Sequence, residues 1–287
     1  MVDTLIFRSL FLAALFFASA LAPSIAFADD EDAAAVRPFP ADRPGKANGP
    51  FTVDEGHFAV ESDFVNIVND QWSSDSITTR SVVAGDPLLK WGVRSDTDIE
   101  LQLGGYQHIA VKDRSTGITT RTDGYGDDVV RLKYNVMGND GSDVGVAILP
   151  YMKLPLATES LRKAGLTNNS IEGGLILPVN INLPHDFSLG YQTEVDANRN
   201  TDNNDFHANF VNIALLSHPL PGDKDITATL ELFSSVSARK SSPNIYTLDP
   251  SFAYQVLPNL AFDIETDIGL NRDAPDAQMI GGVAWVY

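Results

Sequence analysis

Ionisable residues recur at alternate positions through this chain, each beside at least one bulky apolar neighbour. The bases so placed are Lys90, Arg94, Arg131, Lys133 and Lys153, and the acids are Glu61, Glu100, Glu172, Glu194, Glu231, Asp263, Glu265 and Asp267. The stretch 259–270 shows the pattern most completely. Leu260, Phe262, Ile264, Ile268 and Leu270 alternate with Ala261, Asp263, Glu265, Asp267 and Gly269. Such spacing needs one apolar side and one wet side, which is the signature of a half-buried strand. The chemistry open to these groups is electrostatic. The bases come from the second, fourth and fifth such stretches and the acids mostly from elsewhere, so a ring of strands would oppose a basic wall to an acidic one. Opposed walls create a transverse field that orients polar solutes. The same groups, brought within ~4 Å in a narrow lumen, would instead pair and fill it.

Catalytic readings find less support. The histidines are His57, His108, His185, His207 and His218. No G-x-S-x-G elbow accompanies them, and a nucleophile needs its base within hydrogen-bond reach. His207 lies near Asp202 and Asp205, but the Asp-Asn stretch 199–205 lacks the spacing and closing Glu of a calcium loop. Cys is absent, which removes thiolate catalysis, disulfides and Cys-ligated zinc or iron–sulfur centres. No catalytic residue, metal or cofactor is expected. With 38 acids against 20 bases and a net charge of −18, the chain has no basic footprint for nucleic acid. Its 44% hydrophobic content is too high for a disordered chain.

Period two sets the elements that must position these side chains. Twelve strands are predicted, at 57–68, 77–94, 98–110, 127–137, 143–153, 171–182, 186–195, 206–218, 225–236, 245–255, 259–270 and 278–287. A bulge is expected around Gly85-Asp86-Pro87, and Pro250 makes the tenth strand the weakest. Connections alternate between short (95–97, 138–142, 183–185, 219–224, 257–258) and longer (69–76, 111–126, 154–170, 196–205, 237–244, 271–277). A mean hydropathy of −0.07 excludes a bundle of membrane helices. It leaves open a transmembrane barrel, in which only alternate residues face lipid. The predicted fold is all-β: a closed, antiparallel transmembrane barrel of about twelve strands, with short periplasmic turns and longer external loops. Closure is obligatory, because an open sheet edge leaves amides unpaired in hydrocarbon. Phe58, Trp91, Tyr134, Phe187, Tyr254, Phe262, Trp285 and Tyr287 fall near the short turns on the lipid side, where they form an interfacial girdle. A soluble β-sandwich is the competing fold.

The two ends carry further signals. Residues 1–28 have a short opening with Arg8, an apolar core from Leu10 to Ala22 and an Ala26-Phe27-Ala28 cleavage site, the pattern of a secretory signal peptide. Residues 29–56 are acidic and rich in Pro, and read as an extended periplasmic segment preceding a barrel over 57–287. Its Arg43, Pro44 and Phe51 are expected to tuck into the periplasmic mouth, with Arg43 meeting Asp263 or Glu265. The chain stops on a strand in which Gly282, Trp285 and Tyr287 match the signal read by the barrel-assembly machinery, while Ile280 departs from the usual polar residue.

Several blocks resemble one family. Asp42-Arg43-Pro44-Gly45, Pro50-Phe51-Thr52-Val53, Gly56-His57-Phe58 and Glu61 are similar to the opening of the outer-membrane "transporter" family labelled for the meta-pathway of phenol degradation. Trp91-Gly92-Val93, Ile99-Glu100-Leu101, Gly126-Asp127, Lys133-Tyr134, Leu149-Pro150 and Leu154-Pro155 resemble its later blocks, with Asp128 standing where an apolar residue is expected. The resemblance implies an outer-membrane barrel moving small, hydrophobic or aromatic molecules inward. The expected function is therefore a passive channel whose lumen charges set selectivity. Its expected partners are outer-membrane lipid, the assembly machinery and a small-molecule solute, with no nucleic acid. The alternative is a non-transporting structural or adhesion barrel closed by salt bridges.

Overall fold

The computed structural model describes residue 37 and residues 41–71, 76–200, 205–240 and 242–287. The expected signal peptide and residues 29–36 lie outside the described residues. The strands are β1 (Phe58–Asp70), β2 (Ile77–Ala84), β3 (Leu88–Arg94), β4 (Thr97–Gln102), β5 (Tyr106–Asp113), β6 (Thr119–Tyr125), β7 (Asp128–Met137), β8 (Val144–Leu154), β9 (Glu172–Asn182), β10 (Ser188–Arg199), β11 (Phe206–Leu220), β12 (Asp223–Ser237), β13 (Ile245–Leu257), β14 (Leu260–Gly269) and β15 (Ala277–Val286). A short helix, α1 (Glu159–Lys163), lies in the loop after β8.

These elements build a closed antiparallel barrel of twelve staves. The ring runs β1-β3-β4-β7-β8 and on through β15, which pairs back onto β1 from Ala59↔Val286 to Asn69↔Ala277. Three staves are bent. β1 pairs with β3 along Phe58–Glu61 and with β2 along Asn66–Asp70, so β2 and β3 are two halves of one stave. β4 with β5, and β6 with β7, complete the second and third bent staves. The first bend falls at 85–87, as the sequence predicts. The next two fall at Gly104 and Gly126, where the backbones touch: a Cβ on Gly104 would lie 2.3 Å from the Gly126 carbonyl oxygen. Asp128 accepts the Gly104 N–H at 2.8 Å, which explains an acid at that position.

The predicted loop 111–126 is corrected by this arrangement. Residues 119–125 are strand β6, paired with β5 alone among the described strands. Thr119-Thr120-Arg121-Thr122-Asp123 offers no apolar face, so periodicity cannot reveal it. Part of its free edge is met by the loop after β8, where the Thr158 N–H donates to the Tyr125 carbonyl at 3.0 Å. Pro250 does not interrupt β13. The ladder to β12 passes through Leu230↔Pro250, while the ladder to β14 skips from Leu248 to Ser251, where proline has no donor to give.

Alternation places the faces. Leu89, Trp91, Ile99, Leu132, Tyr134, Leu230, Leu232, Phe262, Ile264 and Ile268 are exposed on the outer wall. Lys90, Glu100, Lys133, Glu231 and Glu265 are buried inside. A wall apolar outside and charged inside is the inverse of a soluble domain, and it fits a barrel solvated by lipid. Near the short turns Phe58 stacks on Trp91 with centroids 5.8 Å apart, and Trp285 meets Tyr287 edge-on at 6.0 Å.

Candidate functional site

Charges this deep in a barrel are buried only if something covers them. What covers them is the chain's own segment 41–53. Pro44 and Pro50 bar a helix, and Gly45 lets the backbone pass close to the wall, where a Cβ would lie 2.7 Å from a Glu231 carboxylate oxygen. From these few residues the segment reaches β1, β3, β4, β7, β10, β12, β13 and β14 by hydrogen bonds or ion pairs. Only a chain running inside the ring can touch staves on all sides of it.

Asp42 faces the basic wall. Its carboxylate accepts from Lys90 at 2.6 Å and from Lys133 at 3.0 and 3.1 Å. Lys90 also pairs with Glu61, and Lys133 with Glu100 at 3.2 Å. The Glu61 carboxylate in turn accepts the backbone N–H groups of Asp42 and Arg43, each at 3.1 Å. Burial works against the Asp42 carboxylate, yet the ammonium groups of Lys133 and Lys90 outweigh it and hold the group well below the usual carboxylate range.

Arg43 and Lys46 face the acidic wall. The Arg43 guanidinium grips Asp263 in a two-pronged contact, at 3.0 Å through Nε and 2.7 Å through Nη2, and pairs with Asp63 through Nη1. Asp63, Gly282 and Asp263 are direct cross-strand neighbours on β1, β15 and β14. The guanidinium therefore lies across Gly282, where a Cβ would fall 2.1 Å from its Nη2. Farther along, the Gly45 N–H donates to Glu265 at 2.7 Å, and those of Lys46 and Ala47 donate to Glu231 at 3.1 and 3.3 Å. The Lys46 ammonium meets Asp249 at 2.6 Å and Asp267 at 2.7 Å, and lies 5.0 Å from the Phe233 ring centroid. Burial disfavours that ammonium, and Asp267 and Asp249 outweigh it, raising its pKa. The segment is thus bipolar, with its acid against the basic wall and its two bases against the acidic wall.

The remaining predicted lumen residues divide. Arg131 donates to the Asn48 side chain at 3.0 Å, and Glu194 accepts from Gln192 at 3.0 Å, so both belong to the interior. Lys153 pairs with Glu172 and reaches Asp127 at 3.4 Å toward the external end. Arg94 is a correction. Its side chain is 75% exposed and sits 3.6 Å from Asp96 at the β3–β4 turn. A bulge between Gly92 and Arg94 shifts the register and turns it away from the lumen. Trp285 and Tyr287 stand on the outer wall side at the periplasmic end, while Gly282 faces Arg43.

Strict alternation also hides an apolar part of the lumen. Ala147 and Leu149 of β8 pack with Ile176 of β9 against Tyr151, and Val211 and Ile213 of β11 pack with Ala47, Leu215 and Phe233. These strands carry apolar residues on both faces, so no sequence period separates inside from outside. The segment's own role shows in the sequence only as the odd mixture of Arg, Lys, Asp, Pro and Gly at 42–46.

With this geometry in view, comparison with known proteins is decisive for kinship. Residues 41–286 match the family described as "Putative MetA-pathway of phenol degradation". The chain belongs to this family. The match begins one residue before Asp42, so the family's extent takes in the lumen segment as well as the barrel. Among solved structures, the fold is similar to an outer membrane channel from Pseudomonas putida F1, with a TM-score of 0.61 at 10% identity, covering 85% of this chain and 99% of that one. The NanC porin aligns with a TM-score of 0.48 at 10% identity, over 79% of this chain and 98% of the porin. No curated protein matches the chain.

Proposed function

We propose that this protein is a bacterial outer-membrane channel for small, hydrophobic or aromatic molecules, closed at rest by its own segment 41–53. One observation carries the reading. Besides wall side chains that pack and pair with one another, the lumen holds a separate strip of chain, tied to the wall through hydrogen bonds and ion pairs. A barrel of about eight strands is narrow enough to be filled by its own side chains, and twelve staves enclose a wider lumen, which this segment occupies. Here the wall beneath the segment is charged and polar, a surface fit for water once uncovered. The apolar patches around Leu149 and Ile213 offer contact to an aromatic solute, in keeping with the family's label and with the kinship in fold to an outer membrane channel.

The test is single-channel conductance of the refolded protein in planar bilayers, beside a variant lacking residues 41–50, each with and without phenol. The channel reading expects small or rare steps from the parent, large steady steps from the deletion variant, and block of the latter by phenol. The ion-paired filling of the lumen also favours a second reading, a permanently closed structural barrel. A deletion variant that inserts into bilayers and never conducts would establish that reading and sink the first.

A further inference from the structure

The acidic wall holds more charge than the segment neutralises. Asp63, Glu231, Asp249, Asp263, Glu265 and Asp267 face the lumen from β1, β12, β13 and β14, against Arg43 and Lys46 alone from the segment. Glu231 and Asp249 are direct cross-strand neighbours, and like charges so placed repel. Within this tract the carboxylates of Asp249, Glu265 and Asp267 each bring an oxygen to within 4.8 Å of the other two. All three side chains are at least nine-tenths buried, and Asp249 Oδ1, Glu265 Oε1 and Asp267 Oδ1 have no hydrogen-bond partner among the described residues. Three buried carboxylates with free lone pairs converging on one point are the donor set of a hard divalent cation. Calcium–oxygen bonds run about 2.3–2.6 Å, so ligand atoms on opposite sides of the ion stand about 4.6–5.2 Å apart. The observed spread fits inside that limit. Magnesium gives up its waters reluctantly and is seldom held by an all-protein cage, so three dry carboxylates favour calcium over it. Thr247 Oγ1, which hydrogen-bonds Asp249 at 2.9 Å, stands ready as a neutral oxygen beside the cluster.

The Lys46 ammonium already sits among these oxygens, 2.6 Å from Asp249 and 2.7 Å from Asp267. A calcium ion and this ammonium cannot share the position. We propose that Asp249, Glu265 and Asp267 form a calcium-class cation site, for which Lys46 is a tethered competitor, so that cation binding and seating of the segment exclude one another. Resting on the channel reading above, this makes the cation a ligand that favours the open lumen. By linkage, the seated segment weakens the cation by the same factor that the cation weakens the segment.

The site is tested by binding, without reference to conductance. Calcium chloride is titrated calorimetrically, at constant ionic strength, into the full-length protein refolded in micelles. The parent is compared with Lys46→Met and with Lys46→Met combined with D249N, E265Q and D267N. Heat-modifiable gel migration certifies folding. Lys46→Met should bind one calcium about tenfold or more tightly than the parent, a coupling of ordinary allosteric size, and the acid-neutralised variant should lose it. Equal affinity in parent and Lys46→Met, or binding that survives neutralisation, overturns the proposal. Should Lys46→Met not fold, the native chain's lack of cysteine allows a single spin label at Asn48→Cys in the otherwise intact protein. Calcium should then mobilise the label, magnesium at equal concentration should do so less, and an immobile label throughout overturns the competition. A protein that binds calcium as described yet never conducts refutes the channel reading and leaves the site standing.

Discussion

Arg43 and Asp263 lie 220 residues apart in sequence and 2.7 Å apart in the barrel, beside the seam where β15 closes onto β1. The contact ties the segment before the first strand to the penultimate strand, and Asp63 on β1 completes the clasp. Truncating one side of a buried pair strands the other charge, at a cost of about 3–5 kcal/mol. Arg43→Gln should therefore raise open probability in planar bilayers. The double variant D63N/D263N should do likewise, and combining all three substitutions should add little. Full additivity of the effects would show that these groups do not act together.

Asp42 gives the seating a defined pH window. Burial opposes its ionisation, and Lys133 with Lys90 more than compensates, so its pKa is lower when seated than when released. A depressed carboxylate stabilises the seated state above its released value of about 3.9, and that stabilisation is lost as pH falls through the lower seated value. Between pH 7 and about pH 4, Asp42→Asn should thus open more readily than the parent by a constant ratio, and the two should converge only in stronger acid. Convergence already at pH 6 would mean that Asp42 is not what holds the basic wall.

The outer wall answers to a different probe. Leu230 and Ile264 are exposed at mid-strand on β12 and β14. Arginine at either position should cost about 2–4 kcal/mol near the bilayer midplane, read as a lower urea midpoint for unfolding from lipid vesicles. Glu231→Arg, facing the lumen, should lower that midpoint far less while releasing the segment that its carboxylate holds. Equal loss at all three positions would reverse the assignment of faces.

Gly282 separates assembly from gating. A methyl group there would strike the Arg43 guanidinium at 2.1 Å and the Ser62 carbonyl oxygen at 2.6 Å. Gly282→Ala should assemble with reduced yield and conduct more than the parent, and adding Arg43→Gln should raise conductance no further. If Gly282→Ala lowers yield while the assembled fraction conducts as the parent does, the glycine serves the assembly signal alone.

Much of this barrel was legible because a lipid-facing strand must alternate. The stretch 259–270 shows both faces in sequence, with Ile264 outside and Glu265 within. Complementarity of charge made Arg43 with Asp263 a readable pair, although it named Glu265 equally. What stayed hidden follows from the same rule. β6 has no apolar face and reads as loop, whereas β8, β9 and β11 read as strands but carry apolar residues on both faces, so the sequence does not say which face is the lumen's. Arg94 was misplaced because a bulge adds a residue without leaving a mark in composition. The gathering of Asp249, Glu265 and Asp267 depends on the register of the β13–β14 hairpin, which shifts between Gln255 and Leu257, and alternation within one strand is silent on that.

The bend in the fourth stave also fixes how deep the molecule sits. Beyond Gly126, β6 pairs with β5 alone among the described strands, and its other edge is met by the loop after β8 at the Asp123 and Tyr125 carbonyls; a sheet edge closed by a polar loop does not belong among acyl chains. The hydrocarbon of the outer leaflet must therefore end at or below Tyr125, where that ring meets Tyr106 edge-on at 5.4 Å. Below that level β7 contributes 10 residues. Tilted as barrel strands are, such a length spans about 25 Å, the height of an apolar band. Hydrophobic matching thus acts through the kink: β2, β5 and β6 stand clear in the headgroup layer and water, and a thicker bilayer would have to thin around this one stave before it thinned around any other.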